Sequence, residues 1–217
     1  MGTVSGPSQS GPKLVRKAAP PAKTAPVKTD PALDKTAIDF ILTFRNSTPD
    51  QAKIIWKSVK TYSEKYGVNP LFVLCIIAKE SSFRERAISS TMDVGLMQLS
   101  DGALAEVEKG LGRIDRKKVE DNILAGVYYL ARKCKGTKGN EVYGLVSYHT
   151  GPKSDAGCAE TLSKRPKVAL YVCNICSAFE ELKNGRYLTA ASNISKKYSS
   201  VEVAAFIDLA KKRRKEA

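Results

Sequence analysis

Apolar residues recur at the three-and-four spacing of an α-helix from residue 34 almost to the end of the chain, and nowhere alternate long enough to make a useful strand. Ala37, Ile38, Ile41, Leu42 and Phe44 predict a first short helix. Thr48, Pro49 and Gln51 then supply the N-cap, first position and capping-box partner of a second. Ile54, Ile55, Val59 and Tyr62 form its buried stripe and Gly67 its stop. Asn69 and Pro70 open a third helix over 71–82. Its residues 71–78 are apolar all the way round, the pattern of a helix central to a core. Asp101 is the expected cap of a helix over 103–109, and Asp121 of one carrying Ile123, Val127, Leu130 and Ala131. A short apolar stretch follows at 143–148. Pro166 begins a longer helix through Leu170, Val172, Ile175, Phe179 and Leu182 that stops near Gly185, and Ser199 with Glu202 forms a capping box before Phe206, Ile207 and Leu209. Only 88–98 leaves room for a short β-hairpin. The expectation is an all-α domain with that hairpin as its one β feature.

Composition changes this picture at the ends. Residues 1–33 are mostly Gly, Pro, Ala, Ser, Thr and Lys and offer almost nothing to bury, so they read as a disordered basic tail or linker. Residues 34–217 read as the folded domain, with a basic C-terminal helix over 199–217. The net charge of +14 is weighted toward the two ends, with Lys13, Arg16, Lys17, Lys23 and Lys28 at one and 211–215 at the other. Solvated tails and attraction to a polyanion are both consistent with that distribution. A specific nucleic-acid binder is not expected, because no basic-aromatic motif accompanies the charge. The longest apolar run, 71–78, falls far short of the ~20 residues a membrane-spanning helix needs, and the first residues lack a secretory apolar core.

Glu80 stands at the end of the most apolar helix. A carboxyl group there is penalised when ionised, so its pKa rises and it can hold a proton near neutrality, which suits a general acid. Gly95-Leu96-Met97-Gln98 follows fifteen positions later. The five cysteines leave alternatives open. Cys75, within the Glu80 helix, reads as a small buried hydrophobe, whereas Cys134, Cys158, Cys173 and Cys176 could form two disulfides, a four-thiolate zinc site or free thiols. Cys173 and Cys176 fall mid-helix and the spacing is not that of a zinc ribbon, so no metal or other cofactor is expected.

Taken in order, Glu80-Ser81-Ser82-Phe83, Ala87-Ile88-Ser89, Gly95-Leu96-Met97-Gln98, the Asn122-Ile123 to Tyr129-Leu130 segment and Tyr148-His149-Thr150-Gly151-Pro152 resemble the soluble lytic transglycosylases. These have a goose-type-lysozyme-like catalytic domain and cleave peptidoglycan. Tyr171-Val172 looks like that family's closing Tyr-Val, and the resemblance spans roughly 55–183. It implies a lysozyme-like fold in which Glu80 protonates the β-1,4 bond between N-acetylmuramic acid and N-acetylglucosamine. Glu80 would then deprotonate the muramyl C6 hydroxyl, which attacks C1 and yields a 1,6-anhydro product. The nucleophile is tethered in the substrate, so proximity replaces the second carboxylate of ordinary glycosidases.

By the same resemblance Ser89, Gly95, Met97, Gln98, Asn122, Tyr148 and His149 are the expected substrate-binding residues. Met97 would line the sugar groove, and Gln98 would bond a sugar acetamido group. Asp93 is the one candidate auxiliary carboxylate, although a turn or side-chain cap is its plainer reading. Its Asp-x-Gly-Leu-Met-Gln context is similar to transglycosylases of secretion systems and phage particles. The implied partners are therefore peptidoglycan strands and such an apparatus or particle, and the implied location is the cell envelope or a phage virion. His149, the only histidine, stands where the family's motif has Asn. Two other functions compete: a lysozyme-type hydrolase in which Asp93 helps water attack, and a catalytically silent module that docks on the wall.

Overall fold

The computed structural model describes residues 30–152 and 154–213, and among them the chain folds into ten helices. The expected tail lies outside the described residues up to position 29. Its boundary moves, however: α1 (Pro31–Thr43) begins three residues before the expected domain start at 34. Asp30 accepts from the amides of Ala32 and Leu33, and Pro31 has no amide to leave unsatisfied.

The expected capping signals hold at several helix ends. α2 (Pro49–Tyr66) has the full Thr48/Gln51 capping box and stops at Gly67 in the left-handed conformation. α3 (Pro70–Ser81) starts from Asn69, whose side chain accepts from Leu71. The bend of the chain corrects two caps. Ser100, not Asp101, caps α4 (Asp101–Leu111). α5 (Val119–Gly136) starts before Asp121 with no side-chain cap, and Asp121 instead accepts from the Asp115 amide. α6 (Glu141–Thr150) and α8 (Pro166–Lys183) occupy the expected stretches. α7 (Asp155–Lys164) and α9 (Tyr187–Ser195) were not foreseen, because each shows only two buried positions. α10 (Ser200–Arg213) follows the Ser199/Glu202 capping box. The expected hairpin shrinks to two isolated antiparallel bridges, Ile88 with Val94 and Val94 with Leu99.

α3 is the axis of the main core. All of Leu71 to Ala78 are buried, and the helix packs on α8, α2, α9 and α1. A smaller, separate cluster of Leu99, Ala103, Val107 and Ala125 joins α4 to α5. The segment 82–100 runs between the two clusters.

Candidate active site

Glu80 reaches solvent because α3 ends abruptly just after it. Ser82 and Phe83 both adopt left-handed backbone angles, φ 52° and 61°. Each such residue costs about 1–2 kcal/mol when it is not glycine. Tertiary contacts offset the strain. Phe83 is fully buried, with its ring edge-on to Phe40 and Phe44. Asn46 and Ser47, from the α1–α2 connection, donate to the Ser82 and Phe83 carbonyls. The preceding residue, Lys79, points the other way and is held by Asn174 Oδ1 at 3.0 Å and the Ile194 carbonyl at 2.8 Å.

Glu80 therefore faces a cleft of about 440 Å³ whose walls include Ser89, Asp93, Gln98, Tyr129, Tyr148 and His149. Its pKa is raised to about 7. Desolvation is the largest cause, and the negative charge of Asp93 adds to it. A hydrogen bond from the Tyr171 hydroxyl and the charge of Lys79 oppose the rise and lose. The Tyr171 bond to Oε1 is 2.5 Å, and among the described residues no other group bonds this carboxylate. The second oxygen is left for a ligand.

Ser89, Thr91 and Asp93 form one polar knot at the rim. Both hydroxyls donate to Asp93 Oδ2, at 3.0 and 2.6 Å, while the Asp93 amide donates back to Ser89 Oγ. Asp93 thus makes the turn expected of it and also presents its charge to the cleft. Gln98 lines the cleft, but its amide nitrogen donates to the Gly95 and Ala87 carbonyls. What it can offer a ligand is its carbonyl oxygen, an acceptor for an N–H or O–H. Tyr148 also lines the cleft, with its hydroxyl bonded to the Met97 carbonyl at 2.6 Å and its ring edge-on to Tyr129.

Three of the expected contact residues lie underneath the site instead of in it. The Met97 side chain is fully buried against Gly126, where an added Cβ would sit 2.2 Å from the sulfur. Asn122 is buried and its amide is used up. Oδ1 accepts from the Met97 amide, and Nδ2 donates to the Val94 and Arg116 carbonyls. Gly95 has φ 82°, and a Cβ there would meet Asn122 Nδ2 at 2.3 Å, so it is the residue that lets Asn122 come close. The three set the shape of the 94–99 turn. A polar or flexible side chain beside a site motif gives no sign in sequence of whether it faces the ligand or supports the loop.

Sequence reasoning passed over Thr91 and Tyr129, which line the cleft, and above all Tyr171. It sits on α8 with its ring 3.9 Å from that of His149 and nearly parallel, at 11°. Its pairing with Val172 was the available signal, but its reach to Glu80, ninety-one positions away in sequence, was not.

The buried thiols play no part in the cleft. Burial pushes Cys134 to about 12 and Cys158 to about 11, and drives Cys75 well upward, so all three stay protonated. Among the described residues no cluster of three or more His, Cys, Asp or Glu is placed to hold a metal ion.

The family described as Transglycosylase SLT domain matches residues 57–167. The 70 kDa soluble lytic transglycosylase of Escherichia coli has a similar structure, with a TM-score of 0.53 at 19% identity over 76% of this chain. That likeness shows a shared fold. The chain covers 32% of the length of the Escherichia coli protein.

Proposed function

Because this chain belongs to the transglycosylase SLT domain family, we propose that it is a peptidoglycan lytic transglycosylase with Glu80 as acid and then base. The observation that carries the reading is a single carboxyl group, desolvated to a pKa of about 7, that faces an open cleft. A group that titrates near the working pH can donate a proton in one step and accept one in the next. Protonation of the glycosidic oxygen would leave Glu80 as a carboxylate, stabilised by the Tyr171 hydroxyl. That carboxylate would take the proton of the muramyl C6 hydroxyl as the oxygen closes onto C1. Gln98 Oε1 is an acceptor suited to an acetamido N–H, and Tyr129 and Tyr148 offer aromatic surface to a sugar ring.

Among the described residues the cleft is lined by two carboxyl groups, Glu80 and Asp93, and by no Lys or Arg. A polyanionic nucleic acid is unsuited to it, despite the basic character of the whole chain. An uncharged glycan backbone is not repelled. Action at the cell envelope follows from this substrate, and attachment to a secretion apparatus or phage particle rests only on the Asp93-x-Gly95-Leu96-Met97-Gln98 pattern. No helix among the described residues is long and apolar enough to cross a membrane.

A hydrolase reading has one observation in its favour, the presence of Asp93 in the same cleft, where it could orient a water. Products decide between the two. Purified peptidoglycan digested by the wild type is expected to release 1,6-anhydromuramyl species on mass spectrometry, with turnover by Glu80→Gln reduced at least about a thousandfold. Reducing N-acetylmuramic acid ends would move the assignment to hydrolysis through Asp93. Undiminished activity in Glu80→Gln would remove Glu80 from the mechanism.

A further inference from the structure

His149 occupies the position where the resembling motif carries Asn, and its ring does something an amide cannot. It lies flat on Tyr171, with ring centroids 3.9 Å apart and planes 11° from parallel. Tyr171 is 7% exposed, whereas His149 is open to solvent on the cleft wall. The imidazole is therefore the layer between the phenol and water. Beneath it, the phenol hydroxyl reaches Glu80 Oε1. Three helices meet in this stack: α6 brings His149, α8 brings Tyr171 and α3 brings Glu80.

We propose that His149 is a positioning residue for Glu80: its ring clamps Tyr171 in the orientation that donates to the carboxyl. The proposal deepens the reading of Glu80 as the acid and rests on it. Parallel stacking of this kind contributes beyond simple burial. The charged and titratable groups around the stack define how it works. Lys79 on α3, Asp93 in the rim turn, Tyr148 on α6 and Tyr171 on α8 act on Glu80 itself or adjoin it. His149 feels Arg165 and Lys79 as opponents of its protonation and Asp93 as a supporter, and desolvation outweighs each of these, lowering its pKa below 6.5. At neutral pH the ring is uncharged, so it acts through shape and contact.

Its loss frees Tyr171 and so weakens a hydrogen bond that favours the carboxylate. The carboxyl group then becomes less acidic.

The test is a carbon-13 NMR titration of the Glu80 carboxyl in substrate-free protein, assigned with Glu80→Gln. His149→Ala is expected to raise the midpoint by about one unit. It should reduce kcat at pH 7 about tenfold with little change in KM. His149→Phe, which keeps a flat ring and cannot titrate, is expected to restore the wild-type midpoint and most of kcat. Circular dichroism and thermal melts establish that both variants are folded. If His149→Ala unfolds, His149→Asn serves as the ring-free variant with the same expected shift. An unshifted midpoint in a folded ring-free variant overturns the proposal, as does a folded Phe variant that titrates like Ala. The titration needs no substrate, so it can fail while anhydro products are found, and it can succeed where they are not.

Discussion

At the scale of the residue, Glu80 puts an acid suited to catalysis at odds with the stability of the fold. Its folded pKa of about 7 stands above the ordinary 4.5, so between those values the native state binds more protons than the unfolded one. Stability from this group is complete below about pH 4.5 and is lost as pH rises through 7, a total of about 3 kcal/mol. Glu80→Gln removes the titration. The variant is expected to match the wild type in thermal unfolding near pH 4 and to exceed it by up to about 3 kcal/mol at pH 8.5. A difference that grew toward low pH instead would mean that Glu80 is stabilised as a carboxylate. Sequence alone placed Glu80 and gave the sign of its shift, because an apolar helix end is visible as a pattern. It could not sort Met97, Gly95 and Asn122 from Gln98 and Tyr148. All five adjoin the same motifs, and only the partners of each side chain tell support from contact.

At the scale of the element, the informative feature is the end of α3. Ser82 and Phe83 lie in left-handed conformations with no glycine to ease them, and the turn persists because Phe83 is locked between Phe40 and Phe44. Phe83→Ala is expected to cost about 3–5 kcal/mol in urea unfolding. It should also lower activity at temperatures where the variant is still folded, since the turn that aims Glu80 loses its anchor. A cost under about 1 kcal/mol would mean that local backbone preference holds the turn and the aromatic cluster is incidental. The caps of α2 and α3 were legible because Thr48 and Asn69 act on amides two or three positions away, whereas Asp30, the cap of α1, fell in the stretch read as a tail. Where the partner is remote, the local signal misleads. Asp121 looks like a cap but bonds Asp115, and α7 and α9 bury too few side chains to leave a period.

At the scale of the whole molecule, the cleft lies between a large core built on α3 and a small cluster that ties α4 to α5. The two have unequal holds on the structure: α3 packs on four helices, whereas α4 leans mainly on α5. Native-state hydrogen exchange is therefore expected to be at least about tenfold faster at Val107 on α4 than at Leu74 on α3, through local opening of the cleft wall. Equal protection would make the two clusters one cooperative unit. The sequence by itself determined the helical class, several of the helix starts, the buried run 71–78 and the acid at its end. Each of these is written in spacing or in contacts a few residues long. Only the tertiary structure decided that Tyr171 meets Glu80, that His149 covers Tyr171, and that Met97, Gly95 and Asn122 lie under the cleft floor. Those facts depend on which faces of α3, α6 and α8 come together, and packing between distant segments leaves no periodic trace in the chain.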